Sequence, residues 1–198
     1  NGGVTCGIDS GKLYCWGYNG YGQLGLGNNT SFNTPQQVGA LTSWTAVSTD
    51  GSSTCGIAAG KLYCWGYGAN GELGQGNASN FNSPQQVGSA TNWTAINISY
   101  GGGGYACGIA AGALYCWGYN GYGNLGLGNT TSFNTPQQVG TATNWTNINM
   151  GPNGYGLGAT TCGVAGGIGY CWGAGASGQL GNNGTTDHNV PTAISAGG

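Results

Sequence analysis

Charge is what this sequence most lacks: 2 Lys and no Arg stand against 4 acids among 198 residues, a net charge of −2. A surface so poor in cations cannot neutralise phosphates, which excludes nucleic acid as a partner by the usual electrostatic route and argues equally against anionic membranes. Charge-driven disorder is excluded too, because charged residues are only 3% of the chain. Long apolar runs are missing. Nothing approaches the roughly 20 residues of a membrane span, so no membrane insertion is expected. A signal peptide and an initiating Met are absent as well, and the sequence reads as a mature or excised piece. Leu, Ile, Val and Phe make up only 29 of 198 residues, whereas Gly alone contributes 46. Composition by itself would suggest low complexity.

What is present is a repeat. Cys-Trp-Gly occurs at Cys15, Cys64, Cys116 and Cys171, with pitches of 49, 52 and 55 residues. From each following Trp, a Leu stands eight residues on (Leu24, Leu73, Leu125, Leu180) and a Pro eleven further (Pro35, Pro84, Pro136, Pro191). Nine beyond the first three prolines comes a second Trp (Trp44, Trp93, Trp145), so all 7 tryptophans fall into two slots of one unit. The pitch varies only where Gly101 to Gly104 and Pro152 to Gly158 are inserted, which marks those stretches as loops. We divide the single repeat domain, 1–198, into units of approximately 1–48, 49–97, 98–149 and 150–198.

Each unit holds the makings of about four short antiparallel strands. Thr54 to Ile57 and Leu62 to Trp65 flank Ala59-Gly60 as a hairpin; Pro84 to Val87 is extended; Trp93 to Asn97 is β-branched and aromatic. Four-stranded units of about 50 residues with Gly and aromatics at fixed places point to an all-β fold of β-propeller blades.

The run from Trp16 to Gly27, followed by Pro35 and Val38, resembles the repeat of the regulator of chromosome condensation family, Trp-Gly-x-Asn-x-x-Gly-Gln-Leu-Gly-x-Gly and then Pro-x-x-Val. The pattern covers all four units. The resemblance implies β-propeller blades, usually seven in the family. Val4, Ser53, Tyr105 and Thr160 stand where members often carry His, and the charged surfaces on which the namesake's activities depend are missing. The resemblance therefore implies the fold, not the activity.

The 8 cysteines form four pairs nine residues apart: Cys6 with Cys15, Cys55 with Cys64, Cys107 with Cys116, and Cys162 with Cys171. Opposed residues of a hairpin have a constant index sum, and 55 with 64 gives the same sum as 59 with 60. The other turns fall at Ser10-Gly11, Ala111-Gly112 and Gly166-Gly167. In that register the cysteines are non-hydrogen-bonded pairs, about 4.5 Å apart at Cα, so one disulfide per hairpin is expected. A three-residue loop with a bulge would shift the register by one. Metal ligation lacks a tetrahedral donor set, and neither metal nor cofactor is expected. Disulfides place the protein outside the cell or on its surface. Sequons agree with that compartment: Asn28, Asn29, Asn77, Asn129 and Asn183 lie in the polar slot after Leu-Gly-x-Gly, and Asn92, Asn97 and Asn144 add others as candidate glycosylation sites.

Four Cys hairpins and four Pro segments meet only three Trp-Thr strands. A strand is lacking at the termini. Either the polypeptide would continue beyond these residues, or an unpaired edge would be open to another copy, or a four-blade disc would close with its first blade one strand short.

Catalytic residues are not found. Asp9, Asp50, Glu72, Asp187, Lys12, Lys61 and His188 are the whole ionisable set apart from Tyr and Cys, with no completed triad. Glu72 sits where other units carry Gln23, Asn124 and Gln179 and reads as a turn residue. His188 takes the slot of Phe32, Phe81 and Phe133 and reads as packing. Trp16, Trp65, Trp117 and Trp172 are either sugar platforms or, with the better case, interblade packing. Tyr18, Tyr21, Tyr67, Tyr119 and Tyr122, in Gly-rich turns, are the candidate ligand contacts. Two functions are consistent with this reading. One is a non-enzymatic extracellular structural module, self-associating into a fibre, sheath or surface layer, whose partners are other copies of itself. The alternative is a glycan- or protein-binding propeller module.

Overall fold

The computed structural model describes residues 3–99, 104–151 and 158–195. The inserted stretches 101–103 and 152–157, and both termini where a strand is expected to be lacking, lie outside the described residues. Among the described residues, fifteen strands form four antiparallel sheets. The first holds β1 (Val4–Asp9), β2 (Lys12–Gly17) and β3 (Phe32–Gln37). The second holds β4 (Trp44–Thr49), β5 (Ser53–Ala58), β6 (Lys61–Gly66) and β7 (Phe81–Gln86). The third runs through β8 (Trp93–Ser99), β9 (Tyr105–Ala110), β10 (Ala113–Gly118) and β11 (Phe133–Gln138). The fourth runs through β12 (Trp145–Met150), β13 (Thr160–Ala165), β14 (Ile168–Gly173) and β15 (His188–Ala193). Among the described residues no helix is long and apolar enough to cross a membrane.

Local chemistry sets the central hairpin of each sheet. Ser10-Gly11, Ala59-Gly60, Ala111-Gly112 and Gly166-Gly167 all have positive φ at both positions, the two-residue turn whose twist matches the strands. At Gly60 a Cβ would run into the Thr91 carbonyl, so the second turn position must be Gly. The turn fixes the register, pairing Cys6 with Cys15, Cys55 with Cys64, Cys107 with Cys116 and Cys162 with Cys171. All four pairs are disulfides, with Cα atoms 4.1 to 4.2 Å apart.

The Trp strand does not close its own unit. Trp44 lies opposite Ala58, Trp93 opposite Ala110 and Trp145 opposite Ala165, so each such strand begins the sheet of the following hairpin. The units at 1–48, 49–97, 98–149 and 150–198 are thus offset by one strand from the sheets, and the three-stranded sheet is the first. β4, β8 and β12 pack on one another at the inner end of their sheets, which puts β3, β7, β11 and β15 on the rim. The rim strands carry Pro35, Pro84, Pro136 and Pro191, tolerated there because an edge strand has one unpaired side.

The core is a series of layers between successive sheets. Leu13, Cys15, Leu24 and Val38 of the first pack with Trp44, Ala58 and Trp65 of the second. The next two layers repeat this around Trp93 with Trp117 and Trp145 with Trp172, each indole pair edge-on at about 6 Å. Trp65, Trp117 and Trp172 are fully buried, so the sugar-platform reading fails for these three. The indole N–H groups of Trp44, Trp93 and Trp145 are buried without an acceptor.

Candidate functional site

The ionisable groups are scattered and mostly hold turns. Asp187 accepts the Gly175 N–H at 2.8 Å, as Asn80 does for Gly68. His188 pairs with Gly173 in the register of Phe32 with Gly17, and its Nδ1 lies 3.2 Å from the Thr192 hydroxyl. Asp50 accepts the Ser52 and Ser53 N–H groups at 2.8 and 2.7 Å, and burial pushes its pKa up to about 6. Glu72 is 1% exposed; burial and then the Asp50 charge lift its carboxyl to about 7, against the N–H of Asn70 that it accepts. Among the described residues no three His, Cys, Asp or Glu side chains gather as a metal site.

Two other features stand out. The first is the joint between sheets, which sequence reading missed. Trp65 Nε1 donates to the Gln23 carbonyl at 2.9 Å, Trp117 to that of Glu72 at 2.8 Å and Trp172 to that of Asn124 at 2.9 Å. The Thr54 and Thr161 hydroxyls donate to the carbonyls of Gln23 and Asn124. Gly27, Gly76 and Gly128 donate backbone N–H groups to the carbonyls of Asn82, Asn134 and Asn189 on the next rim strand, each at 2.8 Å. The loop that offers these carbonyls is tied from within. Asn19 donates to Asn28 and Thr30 and accepts from Leu24, and Asn120 does the same one unit-pair later. The Asn, Gln and Leu of the repeat pattern are therefore a clamp, a joint and a core residue.

At the outer face of the first sheet, Trp16 is half-buried and Thr5 is exposed, whereas Trp65, Trp117 and Trp172, and Thr54 and Thr161, are sealed in the same slots of the later sheets. At the far face of the fourth sheet, Ile194 is 48% exposed where Val38, Val87 and Val139 are 1%. Gln179 occupies the carbonyl slot there, and Asn183, with φ 64°, shares the left-handed conformation of Gly27, Gly76 and Gly128.

The second feature is aromatic. Tyr18, Tyr21 and Tyr67 form a run across the loops of the first two sheets, with ring centroids 6.3 and 5.0 Å apart; Tyr119 and Tyr122 repeat the first pair at 6.3 Å. Tyr18 and Tyr119 fold over Gly20 and Gly121, where a Cβ would strike the phenol ring. The five candidate contacts thus fall into two clusters on one side of the array.

The sequon residues spread more widely. Asn28, Asn77 and Asn129 are exposed in equivalent turns, each accepting the N–H of Thr30, Ser79 or Thr131 at 2.9 Å. Asn29, Asn92, Asn144 and Asn183 are exposed, whereas Asn97 is half-buried in the inner strand β8.

The profile described as the Regulator of chromosome condensation (RCC1) repeat matches residues 10–57, 59–107, 111–153 and 167–198. Among solved structures, human WBSCR16 is similar over 98% of this chain and 52% of its own, with a TM-score of 0.76 at 22% identity. Prp20p from Saccharomyces cerevisiae, described with its binding properties to Gsp1p and histones, is similar over 99% of this chain and 50% of its own, with a TM-score of 0.76 at 18% identity. The yeast RCC1 (Prp20) bound to Kap60 gives 0.73 at 19% identity, over 98% and 47%. The chain spans about half the length of these proteins.

Proposed function

Because the chain belongs to the RCC1 repeat family, whose repeat builds blades that stack in series, we propose that it is a non-enzymatic joining module which adds blades of a second copy to its own end faces. The observation that carries this is the match between those faces. One presents the Trp16 indole, the Thr5 hydroxyl and the Asn33 carbonyl; the other presents the exposed Asn183 and the exposed Ile194. These are the same slots that form the three joints within the chain. Such a head-to-tail contact is heterologous, and its rotation decides between a ring and an open filament. We favour the filament, in a fibre, sheath or surface layer. A net charge of −2 leaves little repulsion between copies, and four disulfides suit an oxidising, extracellular setting.

Highly charged partners suit this chain poorly. The yeast Prp20p is described as binding histones, which are basic, but two of the four acids here, Asp50 and Glu72, are turned inward into hydrogen-bonded or buried positions. Light scattering and negative-stain microscopy of the 198-residue protein test the proposal. Concentration-dependent filaments are expected, and Trp16→Ala with Ile194→Asp should reduce them to monomers. Two-copy rings would keep the contact and discard the fibre. Monomers at every concentration would reject both.

A further inference from the structure

Seven large apolar or aromatic side chains are conspicuously exposed among the described residues. Ile168, Val190 and Ile194 belong to the fourth sheet, whose far face the joining proposal uses, and Leu41 stands alone in a loop. The other three, Tyr18 at 41%, Tyr21 at 40% and Tyr122 at 36%, belong to the tyrosine clusters, which the joints do not use. We propose that this tyrosine side is a binding face for an uncharged β-linked polysaccharide, lying across successive blades.

Geometry supports an extended ligand. Tyr18, Tyr21 and Tyr67 meet at interplanar angles of 82° and 63°, so a ligand passing over them meets ring faces and ring edges in alternation. A sugar ring offers a matching alternation, with a C–H face for an aromatic face and equatorial hydroxyls for phenol groups. Beyond Tyr67 the loops leave an open cleft of about 450 Å³ lined by Ala69, Asn70, Tyr119 and Asn134, which leads to the Tyr119–Tyr122 cluster. The rings are held in place beforehand. Tyr18 and Tyr119 lie against Gly20 and Gly121, and Tyr67 packs on Tyr21, so little side-chain freedom remains to be lost on binding. Two clusters on one rigid array would also favour a polymer over a single sugar by raising effective concentration.

Charge decides the ligand class. Stacking alone would suit single-stranded nucleic acid, but phosphates need cations nearby. The only two lysines, Lys12 and Lys61, begin β2 and β6, at the opposite end of those strands from the tyrosine loops. Anionic polysaccharides are disfavoured for the same reason. The amides of Asn29, which donates to the Gly20 carbonyl at 3.1 Å, and of Asn70 flank the strip and suit hydroxyl-rich ligands.

The test uses the 198-residue protein with cellohexaose and chitohexaose, a sulfated heparin hexasaccharide and decaproline as probes, followed by calorimetry and tyrosine-region NMR. Binding of a neutral hexasaccharide is expected, weakened about tenfold by Tyr21→Ala and further by Tyr18→Ala with Tyr67→Ala. Tyr18 and Tyr21 are exposed and Tyr67 is half-buried, and the melting curve of each variant verifies its folding. Trp16→Ala with Ile194→Asp should leave sugar binding intact, which separates this inference from the joining proposal. Failure of both neutral sugars at millimolar concentration would overturn it. So would neutral-sugar binding that ignores all three tyrosines, or selective binding of heparin or decaproline.

Discussion

Glu72→Gln should stabilise the protein at alkaline pH and leave it unchanged in acid. Glu72 fills the joint slot that Gln23, Asn124 and Gln179 fill elsewhere, and its carbonyl receives the Trp117 indole. Its carboxyl is sealed and is lifted from an ordinary 4.5 to about 7, chiefly by burial. A carboxyl whose folded-state pKa is raised favours folding in its protonated form. That contribution is fully present below about 4.5 and is lost as pH rises through 7. At roughly 1.4 kcal/mol per unit, the loss amounts to about 3 kcal/mol once both states are ionised. Asp50, raised to about 6, acts in the same direction. Gln should keep the local bond, since Gln23 Oε1 accepts the Tyr21 N–H at 3.0 Å as Glu72 accepts that of Asn70 at 2.8 Å. For a chain of this size, about 3 kcal/mol corresponds to roughly 10 °C in Tm. Calorimetry from pH 4 to 8.5 should show the wild type losing stability above neutrality and the variant losing much less. Identical flat profiles for both proteins would refute the argument.

Two further outcomes test the framework. Trp117→Phe removes the indole donor while keeping a large ring, leaves the Glu72 carbonyl without that donor, and should cost about 1–3 kcal/mol in urea unfolding. Replacing Cys55 and Cys64 together by Ala opens a ten-residue ring and should cost about 3 kcal/mol, seen as a lower urea midpoint with the other three bridges intact.

The hairpins were legible because everything that sets them is local. Turn, register and cysteine pairing lie within about ten residues, and a two-residue turn leaves one choice of partner. The sheet that the Trp strand joins is not legible, for the opposite reason. Trp44 lies between the rim strand β3 and the hairpin β5–β6, and side-chain alternation does not say which neighbour it joins. The tyrosines were identified by their Gly-rich turns, but their grouping depends on Tyr21 meeting Tyr67 from another blade. Glu72 looked like a turn residue, and it does occupy a turn. Its burial comes from the following sheet, whose Trp117 is 45 residues away, a distance at which no local pattern operates.

The rim prolines have a consequence for shape. Each sheet presents an outermost strand with Pro35, Pro84, Pro136 or Pro191 in it, and Gln36, Gln85 and Gln137 turn their amides back onto the carbonyls of Thr34, Ser83 and Thr135. A foreign strand laid along that border would find a donor missing and acceptors already engaged. Sideways addition of a further strand along the rim is thereby discouraged, whatever meets the two ends of the array.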